Sequence, residues 1–415
     1  MVSFIRKSLL QLIFSGSFMK RWNDKLRPVE FWEVDKQAHK MMIAWLLYYQ
    51  NNRDMSVEQS QQLGREIIEG GIFEYLYRLI ITDIKPPIFY RIKSNPMHYR
   101  QLTEWVLEQL EPRVQPLGED FWRRLRDYFL TESERTLAQR ILSASHLYAS
   151  QWEFSLIETI NPWDEELDDI RDNFKESLKE HSDIHGVTEL IGDPHNELTR
   201  FVRQCGQLRF QKRWSQTPRI PETSVLGHLF IVACYAYFFS LTAKACPAQS
   251  QNNFFAGLFH DLPELLTRDI ISPVKRSVQK IGTLIKEYED KELSSRVFAL
   301  LERGGYTTVA ARLAYFLGTD VGSEFVGTVR LGGEVKEVSR DLLQGEYNLD
   351  EFDPKDGELL KVCDSLAAFI EAYTAMRNGI NTDQLQQAVW RIRNDYSQTV
   401  LAPNLHVGSL LADFD

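Results

Sequence analysis

Parts of this chain repeat one another, and that limits its fold more than any single motif does. AHKMMIAWLLYY from Ala38 and GHLFIVACYAYF from Gly227 share a histidine followed by apolar residues in step, with Ala44 against Ala233 and Tyr48 against Tyr237. Lys-Arg-Trp precedes each, at positions 20–22 and 212–214, and the gap from Arg21 to His39 is slightly longer than that from Arg213 to His228. GIFEYLYRLIITDIKPPI from Gly71 and GLFHDLPELLTRDIISPV from Gly257 repeat Gly, Phe, Leu, Leu, Asp, Ile and Pro in register. A weaker third pair sets SHLYASQWE from Ser145 against CDSLAAFIE from Cys363, with Glu153 on Glu371. Three blocks in one order point to a tandem duplication. At 415 residues the chain also exceeds the usual size of one hydrophobic core, so two domains are expected, 1–190 and 191–415.

The repeated unit is helical. HKMMIAWLLYY, YRQLTEWVLEQL, FWRRLRDYFL and RTLAQRILSASHLYASQWEFSLI place apolar residues three and four apart, so the fold class is all-α. FVGTVRLGGEV is the best strand candidate, a small hairpin or a loop. The charged stretch 164–189 is a solvated helix or a linker and marks the expected boundary. The run LFIVACYAYFFSL from Leu229 falls short of the roughly 20 residues that span a bilayer, and it suits a helix buried on all sides. MVSFIRKSLLQLIFSGSF reads as an amphipathic helix rather than a signal peptide, because Gln11 breaks its apolar part and no small-residue cleavage site follows. Cys205, Cys234, Cys246 and Cys363 form no C-x-x-C pair, as suits reduced thiols in a cytoplasmic protein. No membrane partner is expected.

Differences between the copies carry the functional signal. Where the second has His260-Asp261 the first has Glu74-Tyr75; Glu264 faces Arg78 and Asp364 faces His146. His39, opposite His228, reads as a core histidine. In the second copy His228 opens an apolar helix, His260-Asp261 follows near the end of the next one, and Asp364 lies in a third helix. A carboxylate beside an imidazole is costly to bury unless something compensates both, and a metal ion does so directly. Imidazole and carboxylate together suit one divalent ion such as Mn, Co, Fe, Ni or Zn, with positions left open for water and phosphate. The net charge of −10 argues against duplex nucleic acid as the main partner.

The H…HD…D order, with RWSQTPRIPETSVLGH from Arg213, GLFHDLPELLTRDIISPVK from Gly257 and GELLKVCDSLAAFIEA from Gly357, resembles the HD superfamily of metal-dependent phosphohydrolases. The nearest likeness is to the bacterial 5′-deoxynucleotidase group, over roughly positions 198–379. The resemblance implies two tandem HD-like helical bundles, the second catalytic, with His228, His260, Asp261 and Asp364 holding one divalent metal, Mg included. It also implies Glu264 as acid or base and Asp269 as a second acidic position that orients water or the leaving oxygen. Arg213 would contact phosphate, and Trp214 would pack on sugar or base, although Lys-Arg-Trp also stands in the first copy and so allows a structural role. Lys275 is a further candidate phosphate contact. Pro263 leaves open whether one helix carries both the His-Asp pair and Glu264. The implied substrate is a small phosphorylated one, a (deoxy)nucleoside 5′-monophosphate or similar phosphomonoester, and the first domain would stand in for a second subunit as an internal pseudo-dimer. A nucleotide- or metal-binding regulator with little turnover is the alternative outside enzymes. Within them it is an HD hydrolase of nucleoside triphosphates, cyclic nucleotides or alarmones.

Overall fold

In a computed structural model the protein is all-α, with short two-stranded pairings at its edges. The structure describes residues 4–131, 134–267 and 279–415. The elements that matter for the site are α1 (Lys7–Ser15), α2 (Glu33–Asn51), α3 (Val57–Ile81) and α4 (Leu137–Glu158), then α5 (Glu197–Gln207), α6 (Val225–Thr242), α7 (Pro247–Phe259), α8 (Glu264–Thr267) and α9 (Gly357–Arg377).

The apolar run forms α6, and every residue of it except Leu241 is buried. A helix apolar on all sides is stable in water only when packed on all sides. Its length and composition would allow a membrane crossing, but it lies inside the core. Ser224 caps it by accepting from the Gly227 N–H at 2.9 Å, which satisfies a donor the helix start leaves open. α3 and α4 each begin with a capping box, Ser56 with Gln59 and Thr136 with Gln139. The stretch 164–189 contains the solvated helix Glu166–Lys179. FVGTVRLGGEV is a hairpin, Thr328–Leu331 against Glu334–Glu337, whose two-residue turn uses Gly332 and Gly333 at φ 60° and 89°. Both turn positions lie in the left-handed region, so glycine suits them.

One contiguous apolar core runs through both segments of the chain. At its centre α2 lies against α6, and a Cβ on Gly227 would fall 2.6 Å from Asp35 Oδ1, so the helices meet where one residue has no side chain. Further bonds cross the same seam: Ser224 Oγ donates to Asp35 Oδ1 at 2.7 Å, and Arg209 Nη1 to Glu153 Oε1 at 2.7 Å.

From the end of α1 into α2, matching features recur at one offset, the one that carries Gly16 onto Leu208. The 3-10 turns Gly16–Phe18 and Leu208–Phe210 stand in this relation. So do the ion pairs Lys20–Glu30 and Lys212–Glu222, and the left-handed Trp22 (φ 57°) and Trp214 (φ 55°). A Cβ on Gly71 would meet Met41 and one on Gly257 would meet Ala233; Met41 maps onto Ala233 by the same shift, and Gly71 onto Gly257 by a shorter one. Leu10 O accepts from Tyr235 Oη at 2.8 Å, and its counterpart Val202 O accepts from His39 Nε2 at 2.9 Å.

This register corrects one pairing made from sequence. It sets Lys36, not His39, opposite His228, since the step from Arg21 to Lys36 equals that from Arg213 to His228. The physical reason is helical periodicity: sliding one apolar helix by about one turn keeps its buried positions in step, so sequence matching cannot fix the register. His39 is instead a buried side chain packed edge-on to Trp152, and burial together with Arg209 pushes it down to about 3, so it stays neutral.

Candidate metal centre

Three helical segments converge on the His/Asp cluster. His228 lies one turn into α6, His260 and Asp261 follow the last residue of α7, and Asp364 faces inward from α9. Pro263 decides the local path. α3, with Tyr77 in the matching place, continues without a break to Ile81, whereas α7 stops at Phe259 and Glu264 opens the short helix α8. Proline has no N–H to continue the ladder and its ring clashes with the preceding turn. Glu264 is therefore buried on a new turn, with its N–H bonded to Asp261 O at 3.0 Å, rather than further along the face that carries the pair.

The ligand atoms face one another. His228, His260 and Asp261 each offer an atom within 4.8 Å of the others. His228 Nε2 lies 3.1 Å from Asp364 Oδ1 and 3.9 Å from Asp261 Oδ2; His260 Nε2 lies 3.3 Å from Asp261 Oδ2 and 4.0 Å from Asp364 Oδ1. His260 donates its Nδ1–H to Gly257 O at 2.9 Å. That bond fixes the tautomer and turns a buried Nε2, which has no hydrogen-bond partner, toward the carboxylates. An orphaned buried lone pair beside two carboxylates is the donor set a divalent ion needs, so the residues present fit the metal the sequence implied. Without a cation the site compensates with protons. Burial opposes charge on His260, but Asp261 and Asp364 outweigh it and raise it to about 9. Asp261 and Asp364 are held well below the usual carboxylate range despite their burial, Asp261 by His260 and Arg213, Asp364 by His228 and Lys361.

Behind the cluster lies Glu371, which the sequence reading noted only as the counterpart of Glu153. It is 1% exposed and accepts from Trp214 Nε1 at 2.8 Å, Thr223 Oγ1 at 2.9 Å and Arg213 Nε at 3.4 Å. Its Oε1 also sits 3.6 Å from His228 Nδ1. A carboxylate behind a ligating histidine orients the ring and raises its basicity. The repeat was the signal that could have found it, because Glu153 makes the same anchor: it accepts from Trp22 Nε1 at 2.9 Å and from Arg21 Nε at 2.9 Å.

Arg213 reaches the cluster with Nη1 3.3 Å from Asp261 Oδ2, so the structure places it at the edge of the site. The Trp214 ring nitrogen is committed to Glu371, and the Arg219 guanidinium lies 5.5 Å from its ring. Lys361, which sequence reasoning did not single out, bonds Asp364 Oδ2 at 2.8 Å and lies 4.3 Å from the Phe325 ring centre. Its spacing from Asp364, less than one turn along the same helix, was the available clue. Asp269 and Lys275 lie outside the described residues.

The helical fold brings two histidines and two aspartates from three segments into one buried cluster suited to a divalent metal ion. Residues 205–393 match the family model described as HD domain, and this segment contains all four residues of the cluster. Within it, His228, His260 and Asp261 form a group that could hold a metal ion. No curated protein and no solved structure matches the chain.

Proposed function

We propose that the chain is a phosphomonoesterase releasing phosphate from (deoxy)nucleoside 5′-monophosphates or similar esters. The observation that carries this is the pair of side-chain cations beside the His/Asp cluster, Arg213 at Asp261 and Lys361 at Asp364. Two cations beside two aspartates suit one phosphoryl group. A divalent ion held by His228, His260, Asp261 and Asp364 supplies, when bound, polarisation of a phosphoryl oxygen and activation of water. Among the described residues Glu371 and Asp261 engage two of the Arg213 N–H groups, which leaves others to orient a phosphate oxygen. In hydrolysis the water oxygen bonds phosphorus, the ester P–O bond breaks and the leaving oxygen takes up a proton. Glu264, buried just past Asp261, is placed to take the proton of the water or to supply that of the leaving group. Phosphate release from a nucleotide panel with Mn²⁺, Co²⁺ or Mg²⁺ tests the reading. Turnover that survives Asp261→Ala, or none on any monophosphate, overturns it.

The same reading treats residues 1–190 as a degenerate copy that occupies the place of a second subunit. The paired 3-10 turns, ion pairs and left-handed tryptophans of the two segments support the copy, and the packing of α2 on α6 within one core supports the shared interface.

A further inference from the structure

The first segment contains a second polar cluster at the position matching the metal centre. Lys36 stands where the second segment has His228, Glu74 where it has His260, His146 where it has Asp364, Arg21 where it has Arg213 and Arg78 where it has Glu264. Tyr75, opposite Asp261, has left the cluster: its hydroxyl donates to Ile13 O at 2.7 Å and its ring packs edge-on against Phe230. Lys36 Nζ meets His146 Nδ1 at 2.6 Å, as His228 meets Asp364. Lys40 Nζ bonds Glu74 Oε2, and Glu74 Oε1 accepts from Tyr128 at 2.7 Å. Arg21 Nη1 lies 2.9 Å and Arg78 Nε 3.7 Å from Glu33 Oε2. Asp83, at the exposed rim, takes a bond from Arg78 Nη2 at 3.2 Å.

Two features set this apart from an ordinary ion-pair network. First, the cluster is dense in cations: Arg21, Lys36, Lys40 and Arg78 stand among Glu33, Glu74 and the rim carboxylate Asp83, while Glu153 is shared between Arg21 and Arg209. Second, the ammonium groups are buried and under-partnered. Lys36 and Lys40 each have a side chain 1% exposed and three N–H donors. Each has one hydrogen-bond acceptor among the described residues, His146 for Lys36 and Glu74 for Lys40, with Glu33 3.9 Å from Lys36. Leaving N–H groups of a buried ammonium unmet is costly, and an oxyanion would meet them. Arg21, Glu74, Arg78 and His146 are half-buried.

We propose that this cluster is a metal-free oxyanion site that takes inorganic phosphate or the phosphate of a small monoester on Lys36, Arg21 and Arg78. Its positive charge comes from side chains where the second segment uses a metal ion. The site does not depend on hydrolysis in the second segment.

The full-length protein, stripped of metal with EDTA, is titrated with inorganic phosphate by calorimetry. Arg78→Ala and Lys36→Met should each weaken binding about tenfold or more, the loss of one charge-assisted hydrogen bond or two. Arg213→Ala, in the other segment, should leave this binding unchanged. If two phosphates bind, the event removed by Arg78→Ala must be separate from that removed by Arg213→Ala. Absence of phosphate binding at millimolar concentration, or binding lost in Arg213→Ala and kept in Arg78→Ala, overturns the proposal. Arg78 is half-buried at the rim, so its variant decides the matter if Lys36→Met fails to fold.

Discussion

Glu371→Gln and Glu153→Gln form a matched pair of perturbations whose effects should agree in one assay and diverge in another. Glu371 offsets Arg213 and Arg219, whose side chains are 12% and 2% exposed, and it anchors Trp214 and Thr223. Glu153 offsets Arg21 and Arg209, 13% and 1% exposed, and anchors Trp22. Removing the charge of either takes away a shared carboxylate from two buried guanidinium groups, a loss of up to about 3–5 kcal/mol. Against a total stability of about 5–15 kcal/mol this is readily measured. Guanidinium denaturation of the metal-free protein should therefore show similar losses for both variants, with no contribution from bound metal. Metal affinity should separate them. Glu371 Oε1 stands 3.6 Å behind His228 Nδ1, whereas Glu153 has no ligating histidine in front of it. Glu371→Gln should weaken metal binding by about 10–100-fold, read by competition with a chromophoric chelator. Glu153→Gln should leave it within about threefold, since a distant site couples weakly. Equal changes in metal affinity would refute the assignment of Glu371 as the positioning residue for His228.

Three further outcomes follow from the same geometry. Asp261→Asn removes an anionic ligand and should reduce bound metal from one ion per chain to none, as measured by metal analysis after desalting; full retention would place the ion elsewhere. Glu264→Gln should lower kcat by about 10²–10⁴ while bound metal stays at one per chain, because it acts on a proton and not on the ion; loss of metal together with activity would instead make it a ligand. For Asp35, burial raises the carboxyl to about 7, with Arg209 and the Ser224 hydroxyl holding it down. A carboxyl raised above its unfolded value of about 3.9 contributes stability below that value, and this is lost as pH rises through about 7. Asp35→Asn should therefore gain about 1–3 kcal/mol relative to the parent between about pH 5 and pH 8 in urea unfolding; parallel pH profiles would refute a raised Asp35.

The all-α class and the helix buried on every side were legible because periodicity and an unbroken apolar run report burial directly. The four cluster residues were legible because His260-Asp261 is a local signature and the repeat exposed its absence at Glu74-Tyr75. Features that depend on distance in space were not. Glu371 works through Trp214, Arg213 and Thr223, all remote from it in sequence, and only packing α6 against α9 brings them together. Lys361 reads in the sequence like any helix-surface lysine, and only the fold sets its Nζ on Asp364. The pairing of His39 with His228 failed for a more general reason, since two apolar helices match equally well when slid by about one turn. What fixed the register was polar geometry: the Lys20–Glu30 and Lys212–Glu222 pairs and the left-handed tryptophans occur once in each segment.

That corrected register changes the meaning of the first segment. With His39 opposite His228, the first segment would be a metal site that kept one ligand and lost the rest, leaving uncompensated carboxylates or an empty hole. With Lys36 in that position, an ammonium supplies positive charge where a metal ion would otherwise sit. Burial pushes Lys36 down to about 7, with Arg21 and Lys40 adding repulsion against the pull of Glu33, so the charge is held at a cost. A purely structural replacement would avoid that cost, because an apolar side chain of similar volume packs as well or better than a strained buried charge. Two buried lysines beside two arginines, where leucine or methionine would stabilise more, are better explained by a ligand that needs their charge than by the core that surrounds them.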